Sequence, residues 1–142
     1  MRFWDSSAVL PLLRKETATA QVMKWSAEDR LLIVWWGTVV ECAAALARVE
    51  REGNLPVSSV AESLERLREL SRRWQEIQPS DALRELATRL LRVHNLRASD
   101  SMQLAAAIIA SEHSPHTLEF VCLDARLSAI AQREGFPVLS LP

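Results

Sequence analysis

Phe120-Val121-Cys122-Leu123-Asp124 is an apolar run of strand length that ends in an acid and passes straight into helix-forming residues over 125–134, stopped by Gly135. The start of the chain repeats the arrangement. Arg2-Phe3-Trp4-Asp5 reads as a strand closed by an acid, and Ser6-Ser7 leads into the apolar helix start Ala8-Val9-Leu10. A strand followed at once by a helix is the unit of a parallel sheet, because parallel neighbours need a crossover and a helix supplies it.

Outward from these two stretches, Leu31 to Trp36 is a continuous apolar run broken by Gly37, with Thr38 as the expected cap of a helix over 39–52. Between the first two strands an amphipathic helix is expected over 17–29, with Val22, Met23 and Trp25 inward. Pro11 belongs to an early turn of the first helix, where a missing N–H costs least. Gly53-Asn54 ends the helix over 39–52. Ser58 or Ser59 opens another, running to Arg73, with Leu64, Leu67 and Leu70 inside and Glu62/Arg66 and Glu69/Arg73 spaced for pairing. Trp74 to Gln78 reads as a short strand, and Ser80 caps a helix over 81–94. A very apolar helix runs from Arg97 or Ala98 to Glu112, and Val138 to Leu141 is the last strand. The order β-α-β-α-α-β-α-α-β-α-β predicts an α/β fold with a central parallel sheet, in a single domain over 1–142.

Composition narrows the function. The chain has 142 residues, 49% hydrophobic and 25% charged, which is globular and excludes a disordered or collagen-like chain. A net charge of −1 excludes a generally basic nucleic-acid coat, so a nucleic-acid site has to be local or assisted by metal ions. Of the 17 basic residues only Lys15 and Lys24 are lysines. Cys42 and Cys122 lie in apolar runs and read as small core residues, not as a disulfide or a zinc site. His94, His113 and His116 make no metal spacing with either cysteine and read as surface residues. Phosphate-cradling glycine motifs and a G-x-S-x-G elbow are absent. Trp4 and the Trp35-Trp36 pair read as core or dimer-interface packing. With no long uncharged apolar run and no apolar leader, a cytoplasmic protein is expected.

Most of the 18 acids stand among arginines on charged helix faces. Four instead interrupt apolar stretches. Asp5 and Asp124 each close a strand and precede a helix, a position that either caps the helix or faces a ligand at the sheet's carboxyl edge. Glu41 is the only charge in Thr38-Val39-Val40-Glu41-Cys42-Ala43-Ala44-Ala45-Leu46-Ala47, with no Arg or Lys three or four residues away. Burying it ionised demands a partner: a metal ion, a distant Arg or the helix N-terminus. Asp100 opens an equally apolar run, where it caps the helix with Gln103 as reciprocal partner or serves as a ligand. Carboxylates without His or Cys select a hard cation, Mg²⁺ or Mn²⁺, and such ions serve phosphodiester chemistry.

Taken in order, W-D-S-S-A-V-L at 4–10, V-E-C-A-A-A-L-A-R at 40–48, L-R-A-S-D-S-M-Q-L-A-A-A at 96–107 and F-V-C-L-D-A-R-L-S-A-I-A-Q-R-E-G-F at 120–136 resemble the PIN-domain ribonucleases, most closely the VapC-type toxins of type II toxin–antitoxin systems. The resemblance covers essentially the whole chain. It implies a three-layer domain with a central, mostly parallel sheet and a site formed by Asp5, Glu41, Asp100 and Asp124. It further implies Mg²⁺, with Mn²⁺ as a substitute, RNA cleavage that leaves 5′-phosphate and 3′-hydroxyl ends, a homodimer, and an antitoxin protein that blocks the site. Ser6 matches the hydroxyl residue that often follows the first acid. Two positions depart from the pattern: Ser101 stands where many relatives have Ala, and Cys122 where many have Thr. Arg97 lies within a turn of Asp100, where its fork can reach a phosphate. Three other readings stay open on this pattern: a PIN nuclease with a housekeeping or DNA substrate, a silent RNA- or protein-binding module, and a phosphoacceptor domain using Asp5.

Overall fold

The computed structural model describes residues 1–142. The elements in chain order are β1 (Arg2–Trp4), α1 (Ser6–Leu13), α2 (Thr19–Glu28), β2 (Leu32–Trp35), α3 (Thr38–Arg51), α4 (Val57–Ser71), β3 (Gln75–Ile77), α5 (Asp81–Val93), α6 (Ala98–Ala110), β4 (Phe120–Val121), α7 (Ala125–Arg133) and β5 (Val138–Leu139). All five strands are parallel, in the order β3-β2-β1-β4-β5.

Alternation along the strands divides the core into two layers. Phe3, Ile33, Trp35 and Phe120 pack against α5, α6 and α7, and Trp4, Leu32, Val34 and Val121 against α1 to α4. The three-layer α/β expectation holds, with a sheet parallel throughout. Phe3 stacks on Phe120 with ring centroids 5.4 Å apart, which fixes β1 against β4.

The chain runs outward from β1 through β2 to β3, then returns to the other side of β1 to form β4 and β5. The topological switch therefore falls between β1 and β4. Crossovers diverge there and leave a crevice at the carboxyl ends of these two strands.

Local departures from expectation have local causes. Helix α1 begins at Ser6 because Asp5 caps it, so Pro11 falls in its second turn. The Thr19 hydroxyl donates to the Pro11 carbonyl at 2.8 Å, one of several side-chain bonds that close this corner. Met23 is exposed and Trp25 only half-buried, leaving Val22 as the one buried residue of α2. The Glu62/Arg66 and Glu69/Arg73 ion pairs do not form. Arg66 instead donates to the Leu13 carbonyl at 3.0 Å, satisfying an end of α1, and the ion pair made within α4 is Glu65–Arg68. His94 is not a surface residue: its side chain is 7% exposed and bonded to Glu134 at 2.6 Å. Both cysteines are buried and free. No helix is long and apolar enough to cross a membrane.

Candidate active site

Asp5 follows β1 and is 4% exposed. Its Oδ2 accepts from the Ser7 backbone N–H at 3.0 Å and from the Ser7 hydroxyl. The same hydroxyl accepts from the Leu123 N–H at 3.0 Å, so Ser7 ties the ends of β1 and β4 together. Burial raises the Asp5 carboxyl to about pKa 6; the Ser7 bonds oppose the rise, while Glu41 and Asp100 add to it.

Glu41 lies in the first turn of α3 and Asp100 in the first turn of α6. Glu41 is raised by burial and by Asp100, against bonds from Gln103 and Ser6. Asp100 is raised by burial and by Asp124, and held back by Arg97 and Arg126. The electrostatic influences run from Glu41 and Asp100 to Asp5, from Asp100 to Glu41, and from Asp124 to Asp100. Asp124 itself is exposed and caps α7, its Oδ1 accepting from the Leu127 N–H at 2.8 Å.

The capping alternative is thus met in full at Asp5 and Asp124, and it does not compete with a ligand role. A cap engages one carboxylate oxygen and leaves the other free. At Asp100 the capping expectation fails. Arg97 occupies the N-cap position, Asp100 sits inside the first turn, and Gln103 turns elsewhere.

Gln103 is the site residue that sequence reasoning missed. It is 1% exposed, and its amide donates to Glu41 Oε2 at 2.9 Å and to the Thr38 hydroxyl at 3.2 Å. It is the partner that Glu41 required. Thr38 is not the cap of α3, since Gly37 holds that position; its hydroxyl is buried and serves Gln103 instead. Only the helical spacing Asp100–Gln103 pointed to this residue.

Cys122 was also undervalued. Its thiol lies 3.7 Å from Asp5 Oδ2, 3.7 Å from the Ser7 hydroxyl and 3.5 Å from the Asp124 carbonyl. Burial, reinforced by Asp5, pushes this thiol up to about 12, and burial with Glu41 and Asp5 does the same at Cys42. Both stay protonated, so neither is a nucleophile, and Cys122 supports the site as a weak donor in the hydroxyl's place.

No three Asp, Glu, His or Cys side chains stand close enough together to hold a metal ion as they are placed. In chemistry, the donor set nonetheless suits a hard divalent cation. It is all oxygen, its carboxylates oppose one another's ionisation, and Gln103 Oε1 is a buried acceptor with no partner.

No family model matches the sequence, and no curated protein does. Solved structures do match in fold. A chain of a toxin–antitoxin complex from Klebsiella pneumoniae superposes with a TM-score of 0.64 at 18% identity, covering 98% of this chain and 96% of that one. A chain of FitAcB from Neisseria gonorrhoeae gives 0.64 at 17% identity, again over 98% and 96%. At these identities the likeness establishes the α/β fold along the whole chain.

Proposed function

We propose that this protein is a PIN-type, Mg²⁺-dependent endoribonuclease and the toxin of a type II toxin–antitoxin system. One observation carries the reading: three carboxylates from separate places in the chain, Asp5 at the end of a central parallel strand and Glu41 and Asp100 in the first turns of two helices, are all raised in pKa, chiefly by burial and further by neighbouring acids. One of the solved structures with this fold is a toxin–antitoxin complex, which supports the biological setting and an antitoxin partner. We carry the homodimer over from the resemblance on the same footing.

Asp5, Glu41, Asp100 and Asp124 would hold the cation. Bound Mg²⁺, or Mn²⁺ in its place, supplies a water acidified toward neutral pH and neutralises charge on the phosphodiester. The chain's own residues set the stage for this. Ser7 locks the Asp5 carboxylate in one orientation, and Gln103 does so for Glu41. Ser6, beside Glu41, favours its charged form. Arg97 and Arg126 place positive charge beside Asp100, where an RNA phosphate would approach. The buried floor of Cys122 and Cys42 excludes water from behind the acids.

The test is cleavage of single-stranded RNA by purified protein. Activity in Mg²⁺ or Mn²⁺, lost in EDTA and in Asp5→Ala and Glu41→Ala, is expected, with 5′-phosphate products. Undiminished cleavage in EDTA overturns the mechanism. Co-purification with the product of an adjacent small gene, and inhibition by it, tests the toxin assignment.

A further inference from the structure

We propose that His94 and Glu134 form a clasp that positions the start of α6, and with it Arg97 and Asp100, for the metal and the RNA. The proposal rests on the nuclease reading and deepens it. Both are positioning residues, acting through the segment they hold.

The need for a clasp follows from how α6 begins. Helices α5 and α7 each start on a side-chain cap, Ser80 accepting from the Leu83 N–H and Asp124 from the Leu127 N–H. Helix α6 has no such cap, because its N-cap residue is Arg97, whose side chain offers no acceptor. The turn that carries Asp100 thus lacks the local anchor its neighbours have. Ahead of it runs the connection 94–97, in which His94 and Leu96 turn toward the core while Asn95 and Arg97 stay exposed.

The anchor comes from α7. The His94 side chain is nearly buried, and its Nε2 donates to Glu134 Oε1 at 2.6 Å, at the C-terminal end of that helix. Arg126, in the first turn of the same helix, donates to the Asn95 carbonyl at 2.9 Å. Arg126 and Glu134 are separated by about 12 Å of helix, yet they close on adjacent residues of the connection. A brace that wide fixes the orientation of the connection as well as its place. Arg89 and His113 line the same hollow as Glu134, but the bond it makes is to the shielded imidazole.

What the brace holds is visible in the charges. Asp124 and Arg126, both at the start of α7, act on Asp100 from opposite signs. One helix therefore carries an acid of the site, a positive charge beside Asp100, and both ties on the segment that bears Asp100. Slippage of that segment would move one carboxylate against another, and a displacement of about 1 Å in a positioned site costs on the order of 100-fold in rate.

The experiment uses three variants. His94→Leu and Glu134→Leu remove the bond and keep apolar bulk, and Glu134→Gln keeps an oxygen to accept it. Amide hydrogen exchange in EDTA reads the segment without any need for activity. The bonded amides of Leu96 and Ser101 should exchange about 10-fold or more faster in the leucine variants, the contribution of one charge-assisted bond, with α2 and α4 unchanged. Single-turnover RNA cleavage below every variant's melting temperature reads the site. The Mg²⁺ needed for half-maximal cleavage should rise by about 10-fold or more in the leucine variants, and Glu134→Gln should stay close to the parent in both measurements. Unchanged exchange at Leu96 and Ser101, or faster exchange spread evenly over the fold, overturns the clasp. Faster exchange there with an unchanged Mg²⁺ requirement makes the pair a structural tie alone and overturns its positioning role, leaving the nuclease reading standing. Absence of cleavage by the parent protein overturns the nuclease reading, and the positioning role falls with it.

Discussion

Asp5 and Asp124 occupy the same sequence context, follow two adjacent strands, and end in opposite surroundings. Each closes a strand, and each caps the following helix through a backbone N–H. Asp5 is nevertheless sealed at 4% exposure, whereas Asp124 is exposed. The difference comes from the surroundings. Strand β1 is central, with Ser7 and Cys122 closing over its end, while Asp124 lies two residues further past its strand than Asp5 does. A strand-terminal acid is thus fixed in place by its own neighbours in sequence, but its charge state is set by what the sheet brings beside it.

Activity should separate the two acids most strongly. If the buried half anchors the cation, Asp5→Ala should lower RNA cleavage about 1,000-fold or more, the several kcal/mol expected of metal-assisted charge stabilisation. Asp124→Ala, at the open edge, should cost about 10- to 100-fold, as for a group that orients a site's ligands or water. Single-turnover kinetics in Mg²⁺ measure both. Equal losses would show that exposure does not rank these acids.

What was legible in the sequence follows the same divide. Strands and helices could be read, and the four acids singled out as candidates, because each signal is local: an apolar run, an interruption, a glycine. The supports of the site were not legible. Gln103 reaches Glu41 across 62 residues, and Ser7 reaches Leu123 across 116. Their chemistry as single residues is that of a cap or a solvated helix position, so Thr38 read as a cap and Cys122 as plain core. Asp29 was hidden for the same reason: its side chain is fully buried, yet its partners are Trp4, Leu31 and the chain's amino group. It is a structural acid, outside the four at the sheet's edge.

Stability should separate the two acids next, with a sign that depends on pH. Asp5 has its folded pKa raised to about 6 from 3.8, so the folded state holds the proton more tightly than the unfolded state between those values. Stability that Asp5 confers as a neutral group is present below about pH 4 and is lost as pH rises through 6. Glu41 and Asp100, shifted in the same direction, add to the trend. In EDTA, Asp5→Asn should therefore melt several degrees above the parent at pH 7.5 and level with it at pH 4, on the order of 1–3 kcal/mol. Asparagine keeps an oxygen for the α1 cap, so the comparison isolates charge. Asp124→Asn removes no buried charge and should move the melting temperature by little at either pH. A fall for Asp5→Asn at pH 7.5 would mean that the ionised cap outweighs its burial.

A variant at Gln103 sharpens the buried half further. Gln103→Leu keeps the volume roughly constant and removes the donor to Glu41 and Thr38. It should destabilise the metal-free protein by about 1–3 kcal/mol, the cost of leaving buried polar groups unpaired. Mg²⁺ should recover part of that loss, since a cation answers the Glu41 charge directly. Melting curves with and without Mg²⁺ measure this, and identical metal shifts in variant and parent would remove Gln103 from the site.

The smallest expected effect belongs to the open half. Asp100 is held back from an even higher pKa by Arg97 and Arg126, both exposed and both on the Asp124 side. On the proposed nuclease reading they are the local positive charge with which a chain of net charge −1 would meet RNA. Arg126 also donates to the Asn95 carbonyl at 2.9 Å, so its removal would loosen a loop as well as subtract a charge. Arg97 has no such tie and is the cleaner probe. Arg97→Ala should weaken RNA binding modestly and uniformly across sequences, and flatten the dependence of log affinity on log salt by about one unit, the loss of one phosphate contact. Titrations at several salt concentrations resolve a change of that size. An unchanged slope would return Arg97 to ordinary surface charge and leave Arg126 as the phosphate contact on this edge.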